Sequence, residues 1–201
     1  MSDDRNPSRN RRFESLRERL KSQATELPEV INELKDFLDR CSYYGADQPN
    51  YMVQIFPELI QTLRRIPPQF TDCAENTARQ NILEIVLKCP NLEPFRNFNQ
   101  QLYKITEEVM NSDNEENAAL AIKLHIELAR TFKDIIAESN INQFVRYAEK
   151  MFQDYKEICL RAMNRKPGQL LHRDSSLKVL IECGNAITSL YHSFQKYVPM
   201  K

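Results

Sequence analysis

The chain has 201 residues, with 28 basic and 28 acidic side chains and a formal net charge of zero. This balance excludes a whole-chain electrostatic attraction to nucleic acid or to an anionic membrane, while the length allows one or at most two domains with a sizeable core. The three glycines argue against a fold that needs many tight turns or a glycine-rich phosphate loop. No apolar run has the length of a bilayer span, and the first residues lack the apolar centre of a signal peptide, so we predict a cytosolic or nuclear protein.

Five cysteines lie scattered along the chain with no C-x-x-C pair, namely Cys41, Cys73, Cys89, Cys159 and Cys183. An odd, scattered set with three members inside apolar helical patterns is typical of reduced thiols, and not of a disulfide or zinc framework. The three histidines are each isolated. The sequence therefore predicts no metal site.

Residues 1–24 are polar and rich in arginine, with few large apolar side chains. We predict a solvated, disordered basic tail over this segment and a HEAT-like helical repeat domain over residues 25–201. Nucleic-acid contact and a localisation signal are alternative roles for the tail. Direct nucleic-acid binding is not expected, because acidic residues dilute the positive charge, namely Asp3, Asp4, Glu14 and Glu18.

The first predicted helix follows Pro28 and repeats apolar residues at spacings of three and four. These residues are Val30, Ile31, Leu34, Phe37, Leu38 and Cys41. The second helix, over residues 50–66, ends at "PPQF" because proline removes a backbone donor and restricts the residue before it. Pro57 lies inside this second helix, where we expect a kink or a local break.

Amphipathic helices continue in pairs to the end of the chain. The helix "ENTARQNILEIVLKC" completes a first pair, and "FNQQLYKITEEVM" with "EENAALAIKLHIELARTF" forms a second. The third pair is "INQFVRYAEKMFQDYKEICLRAM" with "SSLKVLIECGNAITSLYHSF". The first helices begin near Tyr51, Phe98 and Gln143, close to the repeat of roughly 40–47 residues in HEAT and armadillo arrays. The pattern predicts an all-α, HEAT-type α-solenoid of about three helix hairpins plus an amino-terminal helix.

Two periods compete in residues 111–130, "NSDNEENAALAIKLHIELAR". Residues 122–128 alternate like a half-buried strand, but the alanines before them favour a helix, which Asp113 or Asn114 would cap. Four polar residues also form one stripe on a helix, namely Glu116, Lys123, Glu127 and Arg130. His125 projects from the opposite side, so we predict a buried, hydrogen-bonded histidine, not a ligand or a catalytic base.

A family resemblance is carried by "FPELIQTLRRIPPQFTD", "ARQNILEIVLKCP" and above all "SDNEENAALAIKLHIELAR". These segments resemble the amino-terminal HEAT region of the transformation/transcription domain-associated protein family, whose members are giant pseudokinases of the phosphatidylinositol 3-kinase-related group. The resemblance is best over residues 51–132 and looser through "INQFVRYAEKMFQDYKEI".

The resemblance implies a non-enzymatic scaffold segment of a nuclear transcription coactivator. Its implied partners are protein subunits of histone acetyltransferase complexes and transcription activators, with no small-molecule substrate, cofactor or membrane. Members of the family are far longer than 201 residues. A stand-alone HEAT-repeat adaptor outside chromatin regulation is the alternative function.

A third hypothesis is an enzyme, because "HRD" at residues 172–174 resembles a kinase catalytic loop. A kinase also needs a glycine-rich loop, a strand lysine and a DFG motif, and the sequence has none of them. We therefore predict that Asp174 or Ser175 caps the final helix. No catalytic, cofactor-binding or metal-binding residue is predicted.

Aromatic side chains form two groups that we predict to serve helix packing, with partner binding as the alternative. The first group is Tyr43, Tyr44, Tyr51 and Phe56, and the second is Phe144, Tyr147, Phe152 and Tyr155. In a slice of a longer solenoid, the terminal repeats expose apolar surface. The last helix is the one we expect to be exposed, with Val179, Leu180, Ile187, Leu190, Tyr191 and Phe194.

Overall fold

The computed structural model describes residues 7–22, 26–43 and 48–193. Over these residues the chain forms nine α-helices and no strand. The helices are α1 (Pro7–Lys21), α2 (Leu27–Tyr43), α3 (Gln48–Arg65), α4 (Ala74–Val86), α5 (Asn99–Ser112), α6 (Glu115–Thr131), α7 (Glu138–Gln153), α8 (Tyr155–Met163) and α9 (Leu177–Ser193). The predicted all-α fold is confirmed.

The helices pack in two layers. In the inner layer α2 packs on α4, α4 on α6 and α6 on α9. Each inner helix also packs on an outer helix that precedes it in the chain, so that α1 lies on α2, α3 on α4, α5 on α6 and α7 on α9. One apolar core runs through all of these pairs, because an isolated pair cannot bury its apolar face. The arrangement is solenoid-like, as predicted.

The amino-terminal segment differs from the predicted disordered tail. Pro7–Lys21 is a helix that buries Phe13, Leu16 and Leu20, and it pairs with α2. These three apolar residues recur at spacings of three and four, which gives α1 a narrow apolar stripe that its many arginines obscure in the composition. The described residues therefore contain four helix pairs, one more than predicted. Residues 1–6 and 23–25 of the predicted tail lie outside the described residues.

Helix α3 runs without a break through Pro57. The predicted alternative of a local break is wrong, because apolar residues on both sides of the proline, including Phe56 and Leu59, are buried in the same core. Their burial holds the helix together despite the missing backbone donor.

The predicted helix from residue 141 to residue 163 is instead two helices, since α7 ends at Gln153 and α8 begins at Tyr155. Asp154 between them has φ −90° and ψ 9°, outside the helical region. The interruption turns the side chains that follow Asp154 away from the face that α7 buries.

Helix α6 is the central element of the inner layer. Eleven of its seventeen residues are buried, including His125, because α4, α5 and α9 cover it on three sides. The side chain of Asn114 accepts hydrogen bonds from the backbone N–H groups of Glu116 and Asn117, which confirms one of the two predicted caps. Among the described helices, none has the length and apolar content that a membrane span requires.

Candidate functional site

A buried polar network joins the α3–α4 pair to the α5–α6 pair. Arg79 of α4 donates to Asp113 at the start of the α5–α6 turn, with its Nε atom 2.9 Å from Oδ2. The same guanidinium donates to the backbone carbonyl of Leu63 at 2.6 Å and to that of Ile66. Both charged side chains are buried, with exposed fractions of 5% and 0%. The pair therefore fixes the end of α3 against the turn.

Three asparagines extend this network. Asn114 donates to the side chain of Asn76 at 2.6 Å and to the carbonyl of Gln69 at 2.8 Å, and Asn117 donates to Asp113 at 3.0 Å. The "DNEEN" segment that carries the family resemblance thus serves to connect helix pairs. The sequence pattern predicted only its capping role.

Glu115 forms a second buried connection, to the long loop that precedes α9. Its carboxylate accepts hydrogen bonds from Ser176 at 2.7 Å and from the backbone N–H of Leu171 at 3.3 Å, and it pairs with Arg165 at 2.9 Å. Its backbone N–H donates to the carbonyl of Leu171 at 2.7 Å. Sequence reasoning missed this connection, because the partners lie fifty or more residues away.

The "HRD" tripeptide lies in this loop. The backbone N–H of Asp174 donates to His172 Nδ1 at 3.4 Å, and the Arg173 guanidinium lies 5.2 Å from the centre of the Tyr147 ring. The hydroxyl of Ser176, one residue beyond the predicted Asp174 or Ser175, accepts a hydrogen bond from Val179 N–H at 3.3 Å and caps α9. The contacts of the tripeptide hold the loop in place.

The polar stripe on α6 lies partly under α9. Glu116 pairs with Lys178, and Lys123 pairs with Glu182 at 3.5 Å. Glu127 pairs with Arg130 at 3.1 Å on the exposed part of the helix. Half of the predicted solvent stripe therefore contributes to contacts between helices.

His125 is buried and hydrogen-bonded, as predicted, and is 4% exposed. Its Nδ1 atom lies 3.1 Å from the Thr106 hydroxyl, which itself donates to the carbonyl of Tyr103. The ring stacks on Phe144 at 5.1 Å between centres. Burial lowers its pKa to about 4, and the nearby backbone of Asn140 opposes this effect only in part. His125 is therefore neutral at pH 7.

A groove of about 510 Å³ lies above His125, between α5 and α7. We call it the α5–α7 groove. Its lining residues come from α5, α6, α7 and the loop before α9, namely Gln100, Tyr103, Lys104, Glu107, Met110, Asn111, His125, Asn140, Gln143, Phe144, Arg146, Tyr147, Lys150 and Arg173. Its shape results from the two outer helices, which are linked by a hydrogen bond from the Tyr147 hydroxyl to the Met110 carbonyl at 3.3 Å.

The predicted packing role holds for four of the aromatic residues. Tyr51 and Phe56 are buried, and the Tyr51 ring lies 4.7 Å from that of Phe13. Phe144 is buried, and Tyr147 packs against it in the core. The side chains of Tyr43 and Tyr44 lie outside the described residues.

The prediction is wrong for Phe152 and Tyr155, which are 44% and 49% exposed. They are two of six large exposed apolar side chains on α7, α8 and α9, which we refer to together as the α8–α9 patch. It consists of Phe152, Tyr155, Leu160, Met163, Leu177 and Ile181. Three of them, Tyr155, Leu160 and Met163, lie on α8, which follows the break at Asp154.

The last helix is only partly exposed. Val179 and Leu190 are buried against its neighbours, while Leu180, Ile187 and Tyr191 are half-buried. Phe194 lies outside the described residues. The expectation of an exposed terminal apolar surface is thus correct for the last pair, but the residues that form it are mainly those of the α8–α9 patch.

All five cysteines are free thiols. Burial raises the pKa of the Cys183 thiol to about 12 and that of Cys89 further still, so both are protonated and behave as small apolar core residues. Within the described part of the chain, no three His, Cys, Asp or Glu side chains are arranged to hold a metal ion.

The fold is an all-α, solenoid-like stack of helix pairs. No protein-family model matches the chain. It is 29% identical over 133 residues to the "Probable transcription-associated protein 1" of Dictyostelium discoideum, and 21% identical over 126 residues to the "SAGA complex/NuA4 acetyltransferase complex subunit TRA1" of Saccharomyces cerevisiae.

The similarity covers 66% and 62% of this chain, but only 3% of each of these two proteins. The chain thus matches a small part of much longer relatives. Its similarity is to transcription-associated proteins, one of which is a subunit of two acetyltransferase complexes.

Proposed function

We propose that this chain is a scaffold segment of a transcription coactivator in the nucleus, which holds protein subunits of a histone acetyltransferase complex and contributes no chemical step itself. The α8–α9 patch is the observation that carries the scaffold role. It places six large apolar side chains on the last helix pair, and large exposed apolar patches on soluble proteins mark contact sites. The similarity to the SAGA/NuA4 subunit supports the kind of assembly.

The layered fold supports the same proposal. Each inner helix is fixed to the next by buried contacts, such as the Arg79–Asp113 pair and the Glu115 connection. A stack that is rigid along its length presents its surfaces in a constant relative arrangement. Such rigidity suits a protein whose role is to position other proteins.

The test is co-purification of the endogenous protein. Antibodies raised separately against residues 26–43 and 138–163 are used to precipitate it from nuclear extract, and the precipitates are analysed by mass spectrometry and assayed for histone acetylation. We expect acetyltransferase subunits and activity in both precipitates. The matched control adds each immunising peptide, which removes both signals.

Two antibodies are needed because one epitope can be covered within an assembly. If both recover the chain without any acetyltransferase subunit, the nuclear scaffold proposal is wrong. Recovery with a different, non-nuclear set of proteins would favour the stand-alone adaptor instead.

A further inference from the structure

The segment between α8 and α9 runs back across one edge of the stack, and we call residues 164–176 the strap. Its contacts reach the turn between α3 and α4, which belongs to a helix pair that is not its neighbour. The backbone N–H of Leu170 donates to the carbonyl of Phe70 at 3.0 Å, and Gln169 forms an antiparallel bridge with Thr71. Each unit of a helical array usually contacts only the next one, so this direct link between the last pair and the α3–α4 pair is an exception.

The strap also crosses the turn between α5 and α6. His172 forms an antiparallel bridge with Asn114. The Glu115 carboxylate binds the strap at both of its ends, through Arg165 at 2.9 Å and the Ser176 hydroxyl at 2.7 Å. Glu115 is 2% exposed, so little water competes with the strap for its carboxylate. The strap is thus fixed to two turns of the stack and to the start of α9.

A tight turn over residues 166–169 gives the strap a shape of its own. The backbone N–H of Gln169 donates to the carbonyl of Lys166 at 3.2 Å, and Arg165 Nε donates to the carbonyl of Gln169 at 2.9 Å. Gly168 has φ 73°, which glycine adopts at no steric cost. A Cβ atom there would meet nothing within 4 Å, so the backbone conformation and not crowding requires the glycine. A segment of fixed shape transmits a constraint from one of its contacts to the others.

Helix α8 is attached to the stack largely through the strap. All residues of α8 are described, and it buries only the Ile158 side chain. It packs against residues 173–175 of the strap and against α9, and the Arg161 guanidinium donates to the Asp174 carbonyl at 3.0 Å. A helix with so few buried contacts opens at a low cost in free energy unless another element holds it. Three of the six side chains of the α8–α9 patch lie on α8, so the position of the strap affects where half of the patch lies.

We propose that the strap is a conformational clamp, which fixes α8 and the last helix pair to the α3–α4 and α5–α6 pairs and so presents the α8–α9 patch in one arrangement. Glu115 anchors the clamp, and the bond from Leu170 to Phe70 extends it to the α3–α4 pair. When the strap is released, α8 opens while α4 and α6 stay folded. The inference rests on the proposed function only in the purpose that it gives to the patch, since the clamp itself is a property of the free chain.

The experiment is amide hydrogen exchange of the purified full chain, followed by mass spectrometry of its peptides. The Leu170→Pro variant removes the backbone N–H that bonds to Phe70. Exchange in α8 should become faster by about fivefold or more, while exchange within α4 and α6 should stay close to that of the native chain.

The matched control is Leu177→Pro, at the first position of α9. Proline is tolerated there because this N–H has no acceptor within the helix. Ser176 before it is extended, with φ −111° and ψ 117°, as a following proline requires. The control should leave exchange in α8 unchanged.

A second pair of variants tests the shape of the strap without removing a hydrogen bond. Gly168→Ala places a side chain in open space but at a positive φ, so it strains only the turn and should also accelerate exchange in α8 at least about fivefold. Gly184→Ala makes the same substitution inside α9, where the new Cβ lies at an ordinary 3.8 Å from Phe152, and should not accelerate it. Circular dichroism and Tm confirm that each variant is folded.

The half-buried Cys159 thiol on α8 gives an independent measure of the same opening. Its rate of alkylation by iodoacetamide should rise in both strap variants and in neither control.

Unchanged exchange in α8 in both strap variants would overturn the clamp, and so would equal acceleration by the two controls. Equal acceleration in α8 and α2 would also overturn it, because such a result reports a general loss of stability. These measurements use the free chain, so their failure rejects the clamp and leaves the co-purification test of the scaffold function unaffected.

Discussion

Between α3 and α5 the outer layer leaves a groove of about 150 Å³, whereas between α5 and α7 it leaves one of about 510 Å³. The two grooves occupy equivalent positions in the stack, between consecutive outer helices. Arg79 reaches into the smaller one, where Asp113 and two backbone carbonyls bind its guanidinium. The larger one contains buried polar atoms, such as the Tyr103 hydroxyl, that have no hydrogen-bond partner within the described part of the chain.

The difference shows two uses of polar side chains in a helical stack. In the smaller groove, the buried Arg79 guanidinium is bonded to Asp113 and to backbone carbonyls, and these bonds join the neighbouring helix pairs. The guanidinium is therefore not free to bind a ligand. In the larger groove, several buried polar atoms have no hydrogen-bond partner among the described residues, and aromatic rings supply contact between helices. The role of a buried polar residue therefore depends on its hydrogen-bond partners and not on its burial alone.

The largest expected effect comes from breaking the network of the smaller groove. Asp113→Ala leaves the Arg79 guanidinium buried without its carboxylate and removes a bond to Asn117, so we expect a loss of about 3–5 kcal/mol in the free energy of unfolding. Urea denaturation followed by circular dichroism measures it. The double variant Arg79→Ala, Asp113→Ala should lose much less than the sum of the two single variants. Additive losses would show that the ion pair does not connect the helix pairs.

The next effect concerns the floor of the larger groove. The pKa of His125 is lowered from 6.5 to about 4 in the folded protein, so between these values the unfolded chain binds more protons and stability falls as pH falls. The full difference corresponds to about 3 kcal/mol, lost between pH 6.5 and 4.

The His125→Gln variant isolates this contribution, because glutamine does not titrate and the carboxylates are common to both proteins. Urea denaturation at several pH values should show the stability advantage of the native chain over the variant shrinking as pH falls below 6.5. A constant difference from pH 7 to pH 4 would mean that His125 is not buried in its neutral form.

Local pattern was enough to predict most of the helices and the burial of His125. Apolar spacing, the proline stop after Ile66 and the Asn114 cap all act within a few residues, so they are visible in the sequence. The same local reasoning allowed a break at Pro57 and missed the amino-terminal helix, since contacts with distant residues keep α3 continuous and hold α1 in place.

The sites were less predictable because they depend on distant contacts. Asp113 and Arg79 lie 34 residues apart, and Glu115 and Ser176 lie 61 residues apart. The cations of the α5–α7 groove belong to three separate segments, so no window of sequence shows them as a cluster. The interruption at Asp154, directly before the exposed Tyr155, has no proline or glycine in the sequence that would predict it.

A smaller effect is expected from Glu115→Gln, which keeps the shape of the side chain but removes its negative charge. That charge binds Arg165 and strengthens the hydrogen bonds that Glu115 accepts from Ser176 and Leu171. Hydrogen bonds to a charged group contribute about 1.5–3 kcal/mol each, and the amide retains part of them, so we expect a loss of about 1–2 kcal/mol. Amide hydrogen exchange should be faster at Leu171 and at the first turn of α9 than elsewhere. Uniform acceleration across the chain would argue against a local connection.

The smallest effect is expected at the surface of the smaller groove, where Arg64 and Glu108 join α3 to α5 at 3.0 Å. Both side chains are more than 40% exposed, so water and salt screen their attraction, and Arg64→Ala should cost at most about 1 kcal/mol. Urea denaturation in low and high salt provides the measurement, and the loss should vanish in high salt. A loss as large as that of Asp113→Ala would mean that the surface ion pair stabilises this junction as much as the buried network does. The two grooves would then not differ in the way that their buried polar groups suggest.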